Sequence, residues 1–72
     1  MTFARGELLT AVGGTTTVWA EGLGRGLDVI QMNDLVMVVE STDVEGWTQV
    51  MTCRGIQGYV HRSNLQRPLV QG

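Results

Sequence analysis

The chain has 72 residues, of which 43% are hydrophobic and 17% are charged, and it contains one cysteine. A chain of this length forms one domain, residues 1–72, near the size at which burial of apolar surface only just offsets chain entropy. The composition argues against disorder, and the longest apolar run, Leu35–Val39, is far shorter than the roughly 20 residues that span a bilayer. The net charge of -2 removes the simplest argument for nucleic-acid binding, which is a basic domain.

The charges are unevenly distributed along the chain. All seven acidic residues lie within residues 1–45, together with two arginines, which gives that part a charge of -5. Residues 46–72 contain no acidic residue and carry a charge of +3 from Arg54, Arg62 and Arg67. These charges can pair acid to arginine between copies of the chain, or they can cancel within one chain. The sequence leaves both arrangements open.

Apolar residues recur with a period of two, and ten glycines separate short segments, which predicts strands throughout. The first two predicted strands, residues 7–12 and 15–20, flank Gly13-Gly14. A glycine pair adopts positive φ without penalty, so we expect these two strands to form a hairpin. Gly22–Gly26 superficially resembles a phosphate loop, but no helix-period pattern follows it, as a dinucleotide site would require. We therefore predict a mobile surface loop there.

The run Leu35–Val39 predicts a strand that is apolar on both faces. Alternation places Val36 and Val38 on one face and Leu35, Met37 and Val39 on the other. Because a small barrel buries only one face, the second is expected to be covered by a loop or terminus, or to be a docking surface.

The remaining elements follow in order. Residues 41–45 are expected to form a polar, acidic connection, and Trp47–Thr52 and Ile56–Val60 to be strands joined by a tight turn at Arg54-Gly55. Residues 61–64 predict a single helical turn, and an edge strand is expected over residues 65–70 near Pro68.

Three segments together match a known architecture: Asn33-Asp34-Leu35-Val36-Met37-Val38-Val39-Glu40, Gly46-Trp47-Thr48-Gln49-Val50 and Gly58-Tyr59-Val60-His61-Arg62-Ser63-Asn64-Leu65. They resemble the Src homology 3 family, and most closely its bacterial branch, over roughly residues 15–67. The resemblance implies an all-β fold, a small Src homology 3-like β-barrel of about five to six strands with one helical turn near residues 61–64. The core that it implies consists of Ile30, Val36, Val38, Val50, Val60 and Leu65.

The resemblance does not extend to the ligand groove of the eukaryotic members. That groove uses aromatic residues and a proline to bind proline-rich peptides. Only Trp47 matches it here, since His61 stands at the position of the groove proline and Asn64 at that of the groove tyrosine. A peptide-binding adaptor with a remodelled groove around Trp47 therefore stays as an alternative function.

No set of residues predicts catalysis. Cys53 and His61 are the only thiol and the only imidazole, and a nucleophilic dyad would need a third, orienting group. A metal site needs three or four ligands, and Glu40, Asp43 and Glu45 do not have the spacing of a calcium loop. We therefore expect no enzyme activity, no metal, no cofactor and no small-molecule substrate.

These patterns favour a non-catalytic protein-interaction or structural accessory subunit of a larger assembly, with a protein partner or with copies of itself. A bacteriophage virion or a cytoplasmic complex fits, because the N-terminus has no pattern of a secretory signal. The expected contact residues are Trp47, Tyr59, Leu35, Met37, Val39 and Arg62. Tyr59 is expected to point outward beside Trp47, whereas Trp19 is expected in the core.

Binding of RNA or single-stranded DNA is a further alternative. Small barrels can stack bases on exposed aromatic side chains, and Arg54, Arg62 and Arg67 could contact phosphates. The acidic net charge makes nucleic acid an unlikely partner.

Overall fold

The computed structural model describes residues 3–68, and of residues 41–44 the backbone alone. Within these residues the chain is all-β, with seven strands in one antiparallel sheet and one short 3-10 turn, Arg62–Asn64. The strands are β1 (Leu8–Ala11), β2 (Thr15–Trp19), β3 (Gly26–Gln31), β4 (Leu35–Val44), β5 (Trp47–Met51), β6 (Gln57–His61) and β7 (Leu65–Gln66).

The strands are arranged in the order β3-β2-β6-β5-β4-β1-β7. Strands β3 and β7 are its two ends, and no ladder joins them in the described part of the chain, so hydrogen bonding leaves the sheet open. The sheet is nevertheless strongly curled, because β1 and β3 are in contact although β2, β6, β5 and β4 lie between them in the order.

The core lies on the concave face of this curled sheet. The predicted inward valines of β4, β5 and β6 are all buried, and so are Ile30 and Leu65, which confirms the six core residues implied by the resemblance. Burial of each such side chain contributes about 1.5–3 kcal/mol relative to leaving it exposed. The buried apolar cluster consists of Leu9, Ala11, Val18, Ile30, Val36, Val38, Val50, Val60 and Leu65.

The predicted hairpin of the first two strands is wrong. Strand β1 pairs with β4 and β7, whereas β2 pairs with β3 and β6. A turn after β2, in which the Ala20 N–H donates to the Arg25 carbonyl at 2.7 Å, brings β3 beside β2. The glycine pair therefore changes the chain direction without pairing the strands that flank it.

Strand β3 is the element that the sequence does not predict. Over Leu27–Val29 the apolar residues point outward and the polar residue points inward, the reverse of the usual pattern: Leu27 and Val29 are exposed, whereas Asp28 lies opposite the buried Val18. Aspartate is depleted in strands, which further masks the pattern. This strand accounts for the difference between the seven strands of the structure and the smaller number expected.

Strand β4 also extends further than predicted, because its backbone continues through residues 41–44 as a strand. The connection is only the two-residue turn Glu45-Gly46, with φ of 53° and 85°. Positive φ at both central residues is the mark of a type I′ hairpin turn. The predicted helical turn is confirmed as Arg62–Asn64, whereas the predicted last strand is described only as Leu65–Gln66.

Gly58 allows β2 to lie against β6. The two strands are paired at Trp19 and Tyr59. A Cβ atom at Gly58 would lie 2.6 Å from Val18 Cγ1 and 2.7 Å from the Trp19 carbonyl oxygen. Because one of these atoms belongs to the backbone, no side-chain rotamer removes the clash.

We therefore expect Gly58→Ala to lower the free energy of unfolding by about 2–3 kcal/mol, as overpacking of a filled interior does. In a domain of this size the melting temperature should fall by about 10 °C or more. Circular dichroism during heating measures the effect. Gly14→Ala is the matched control, since a Cβ there meets nothing within 4 Å and the φ is not positive. Equal melting temperatures for the two variants would contradict this close approach.

Candidate interaction surface

The outer face of the sheet carries two groups of apolar or aromatic side chains. Alternation produces them, because the residues between the buried valines of β4, β5 and β6 must point away from the core. We name the first group the aliphatic patch: Leu8, Leu35, Met37 and Met51. We name the second group the aromatic patch: Trp19, Trp47, Tyr59 and His61.

The aliphatic patch is a row of side chains across three neighbouring strands. Leu8 on β1 lies opposite Met37 on β4, and Met37 lies opposite Met51 on β5. The exposed fractions are 49% for Leu8, 45% for Leu35 and 39% for Met37. Directly opposite residues have Cβ atoms about 4.5–5.5 Å apart, so these side chains form one continuous surface. The outward orientation predicted for Leu35 and Met37 is thus observed, and no described segment covers them.

A shallow groove of about 320 Å³ borders this patch beside Leu35. The Thr10 hydroxyl, at its floor, donates a hydrogen bond to the Met32 carbonyl and is therefore satisfied. The groove is lined by Thr10, Met32, Asn33, Leu35, Gln66 and Pro68. It adds a recess to an otherwise convex apolar surface.

Two of the expected contact residues, Val39 and Arg62, lie outside both patches. Val39 sits at a register shift of β4, between Val38 and Glu40, and is half-buried. Arg62 begins the 3-10 turn, where its side chain is exposed and its backbone N–H donates to the Gly46 carbonyl at 2.8 Å. Arg62 thus comes directly after His61 of the aromatic patch in the chain.

The aromatic patch begins with a fixed pair of rings. Trp47 and His61 lie opposite each other on β5 and β6, edge to face, with ring centroids 5.2 Å apart and planes at 89°. The Nδ1 atom of His61 accepts a hydrogen bond from the Ser63 N–H at 3.3 Å and so caps the 3-10 turn. Gly46 leaves space for this ring, since a Cβ there would lie 2.6 Å from Nε2. Trp47 is therefore held in place rather than freely exposed.

Tyr59 continues the patch, as expected, on the same face as Trp47. It lies opposite Gln49 on β5 and opposite Trp19 on β2. The prediction that Trp19 belongs to the core is wrong, because its neighbour Val18 takes the inward position and alternation turns Trp19 outward, where it is half-buried.

The oppositely charged parts of the sequence pair within one chain. Arg54 Nε lies 2.9 Å from Asp28 Oδ2, and Arg54 Nη2 lies 4.0 Å from Asp34 Oδ2. Arg67 pairs with Glu7, and its guanidinium also lies 5.2 Å from the centroid of the Phe3 ring. Of the two arrangements left open by the sequence, local cancellation is therefore present.

These contacts lower the pKa of two carboxyl groups. The hydrogen bond from Arg54 holds the pKa of Asp28 below its ordinary value of 3.8, with a further contribution from the Val29 N–H. For Glu7, the Ala4 N–H and then the Arg67 side chain lower the pKa from its ordinary value of 4.5. In each case the hydrogen bonds favour the ionised form.

A carboxyl group whose pKa is lower in the folded state than in the unfolded state stabilises the fold at pH values above its ordinary pKa. That stabilisation is lost as the pH falls through the folded-state pKa. The free energy of unfolding should therefore decrease on acidification below about pH 4.5. Glu7→Gln and Asp28→Asn should each flatten this dependence, measured by urea unfolding at a series of pH values. Glu21→Gln, in the exposed turn after β2, is the control. An undiminished pH dependence in the first two variants would contradict the assignment.

Sequence reasoning omitted Leu8 and Met51 from the surface. Leu8 is followed by Leu9, and two adjacent apolar residues do not reveal which one faces the core. Met51 could have been found, because it follows Val50, a predicted core residue, and alternation therefore turns it outward. Cys53 is exposed in the turn before β6, and His61 ends that strand, so the structure does not bring the two together.

The chain matches no protein-family model, no curated protein and no solved structure. Among residues 3–68, leaving out the side chains of 41–44, no three His, Cys, Asp or Glu side chains are grouped so that they could hold a metal ion. The Asp43 side chain, considered in the acidic segment, lies outside this described set. No helix in the described residues is long and apolar enough to cross a membrane.

Proposed function

We propose that the protein is a non-catalytic interaction subunit that docks into a larger assembly through the aliphatic patch. The observation that carries the proposal is the row of exposed Leu8, exposed Met37 and half-buried Met51, in register across three strands, with exposed Leu35 beside it. Contiguous exposed apolar surface marks protein contact sites, whereas single exposed apolar residues do not. Methionine adds to this, because its unbranched side chain adapts to the shape of a partner.

The chemistry around the patch indicates the partner. Glu7, which precedes Leu8, is paired with Arg67, and Asp34, which precedes Leu35, lies 4.0 Å from Arg54, so the charges next to the patch are met by arginines of the same chain. The partner surface should therefore be apolar at its centre and polar at its rim, as the buried centre of protein interfaces is. The groove beside Leu35 offers a recess for a protruding side chain of that partner.

We further propose that the fold is a Src homology 3-like barrel. Three features support this proposal. Trp47 begins β5, the turn Arg62–Asn64 precedes β7, and the six implied core residues are buried together. The contact between β1 and β3 adds the curl that a barrel requires.

Docking is tested by Met37→Glu, with Leu23→Glu as the matched control. Both residues are 39% exposed, but Leu23 lies in the turn between β2 and β3, away from the patch. We expect Met37→Glu to weaken association at least about tenfold, the equivalent of about 1.4 kcal/mol, and Leu23→Glu to leave it unchanged. Affinity capture from native extract and sedimentation of the purified chain measure partner binding and self-association. Equal behaviour of the two variants would refute the proposal.

A second candidate is peptide binding at the aromatic patch. The contact that favours it is the fixed Trp47–His61 pair with Tyr59 on the same face, since a held ring loses little entropy on binding. Trp47→Ala should then abolish peptide binding while Met37→Glu leaves it intact, in a peptide-array measurement. The nucleic-acid alternative is not favoured, because Arg54 and Arg67 are paired with carboxylates of the same chain.

A further inference from the structure

Strand β3 is one end of the sheet and therefore has an edge that another strand could join. The backbone groups of an edge strand that face away from its neighbour are a template for pairing. At Val29, the N–H donates to Asp28 Oδ1 at 2.8 Å, and the carbonyl accepts from Arg54 Nη2 at 2.9 Å. Both of its backbone groups are thus occupied by side chains of the same chain.

The backbone N–H and carbonyl of Gln31, two residues after Val29, are also occupied within the same chain. The Gln31 N–H donates to Asp34 Oδ2 at 3.0 Å, and the Gln31 carbonyl accepts from the Asp34 N–H at 2.9 Å. Residues 29 and 31 have the same parity in the strand, so these four groups belong to one edge. The edge of β3 is therefore occupied over its last three residues.

Arg54 is the part of this arrangement that comes from elsewhere in the fold. It lies in the turn between β5 and β6, where the Gly55 N–H donates to the Thr52 carbonyl at 2.9 Å and Thr52 Oγ1 accepts from the Arg54 and Ile56 N–H groups at 3.3 Å. This turn fixes the origin of the side chain. The guanidinium then contacts Asp28 through Nε and the Val29 carbonyl through Nη2, two nitrogen positions that the single nitrogen of an ammonium group cannot both occupy.

We propose that Asp28, Arg54 and Asp34 form an edge latch that keeps β3 from pairing with β3 of a second copy of this chain. The partner that the latch keeps away from the edge of β3 is a second copy of the chain, because two identical edge strands can pair antiparallel about a two-fold axis centred on Val29. The pairing would use the Val29 N–H and carbonyl that the latch occupies, so the two states exclude each other. Leu27 and Val29, which are exposed, would gain apolar contacts in the dimer.

The test is Arg54→Met, studied by sedimentation velocity together with amide hydrogen exchange. Wild type should show no association through β3, whereas the variant should shift with concentration from 7.9 kDa to twice that mass. The Val29 amide should exchange more slowly in the dimer. Addition of Val29→Lys, a charged edge residue, should restore the monomer.

If Arg54→Met does not fold, Arg54→Lys decides, because it keeps the charge but its single nitrogen cannot occupy both the Nε and the Nη2 positions; it should associate more than wild type. The proposal fails if the variant that folds stays monomeric up to about 1 mM, or if Val29→Lys does not reverse its association. The inference is independent of the proposed function. Association through the aliphatic patch should be weakened by Met37→Glu and unaffected by Val29→Lys, so the two kinds of association can be told apart.

Discussion

Strand β4 is apolar on both faces, and the rest of the structure depends on how those faces are used. Its inward residues, Val36 and Val38, pack with the valines of β5 and β6 in the core. Strand β4 pairs with β5 along one edge and with β1 along the other. Because successive side chains of a strand point to opposite faces, Leu35 and Met37 then face outward. The same constraint therefore produces both the core and the exposed aliphatic patch.

The uneven charge of the sequence becomes understandable in the folded chain. Arg54 reaches back 26 residues to Asp28, and Arg67 reaches back 60 residues to Glu7. The first pair joins β3 to the turn between β5 and β6, and the second joins the residue before β1 to the residue after β7, so each pair lies at one end of the open sheet. Exposed ion pairs add little stability on average. Their position at the ends of the sheet suits them instead to determining which edge strands are kept from pairing with another strand.

What the sequence could predict is the local pattern, and what it could not predict is the choice of partner strand. Alternation identified the inward valines and the outward Met37, because both depend only on neighbouring residues. The pairing of β1 with β4 depends on contacts far apart in the chain, so Gly13-Gly14 suggested a hairpin that does not exist. Strand β3 was hidden for a related reason: the half-buried Asp28 pairs with Arg54, which lies 26 residues away in the sequence.

The two outer patches differ in how much of each side chain is still exposed, and this difference favours the aliphatic patch as the proposed docking surface. In the aromatic patch, Trp47 already contacts His61 and Tyr59 already lies against Trp19 across the strands, so much of their surface is covered before any partner arrives. In the aliphatic patch, Leu8, Leu35 and Met37 remain between about two fifths and one half exposed. The free energy of burial scales with the apolar area removed from water. The larger exposed fractions therefore favour the aliphatic patch, of which the sequence predicted only Leu35 and Met37, because Leu8 and Leu9 could not be told apart.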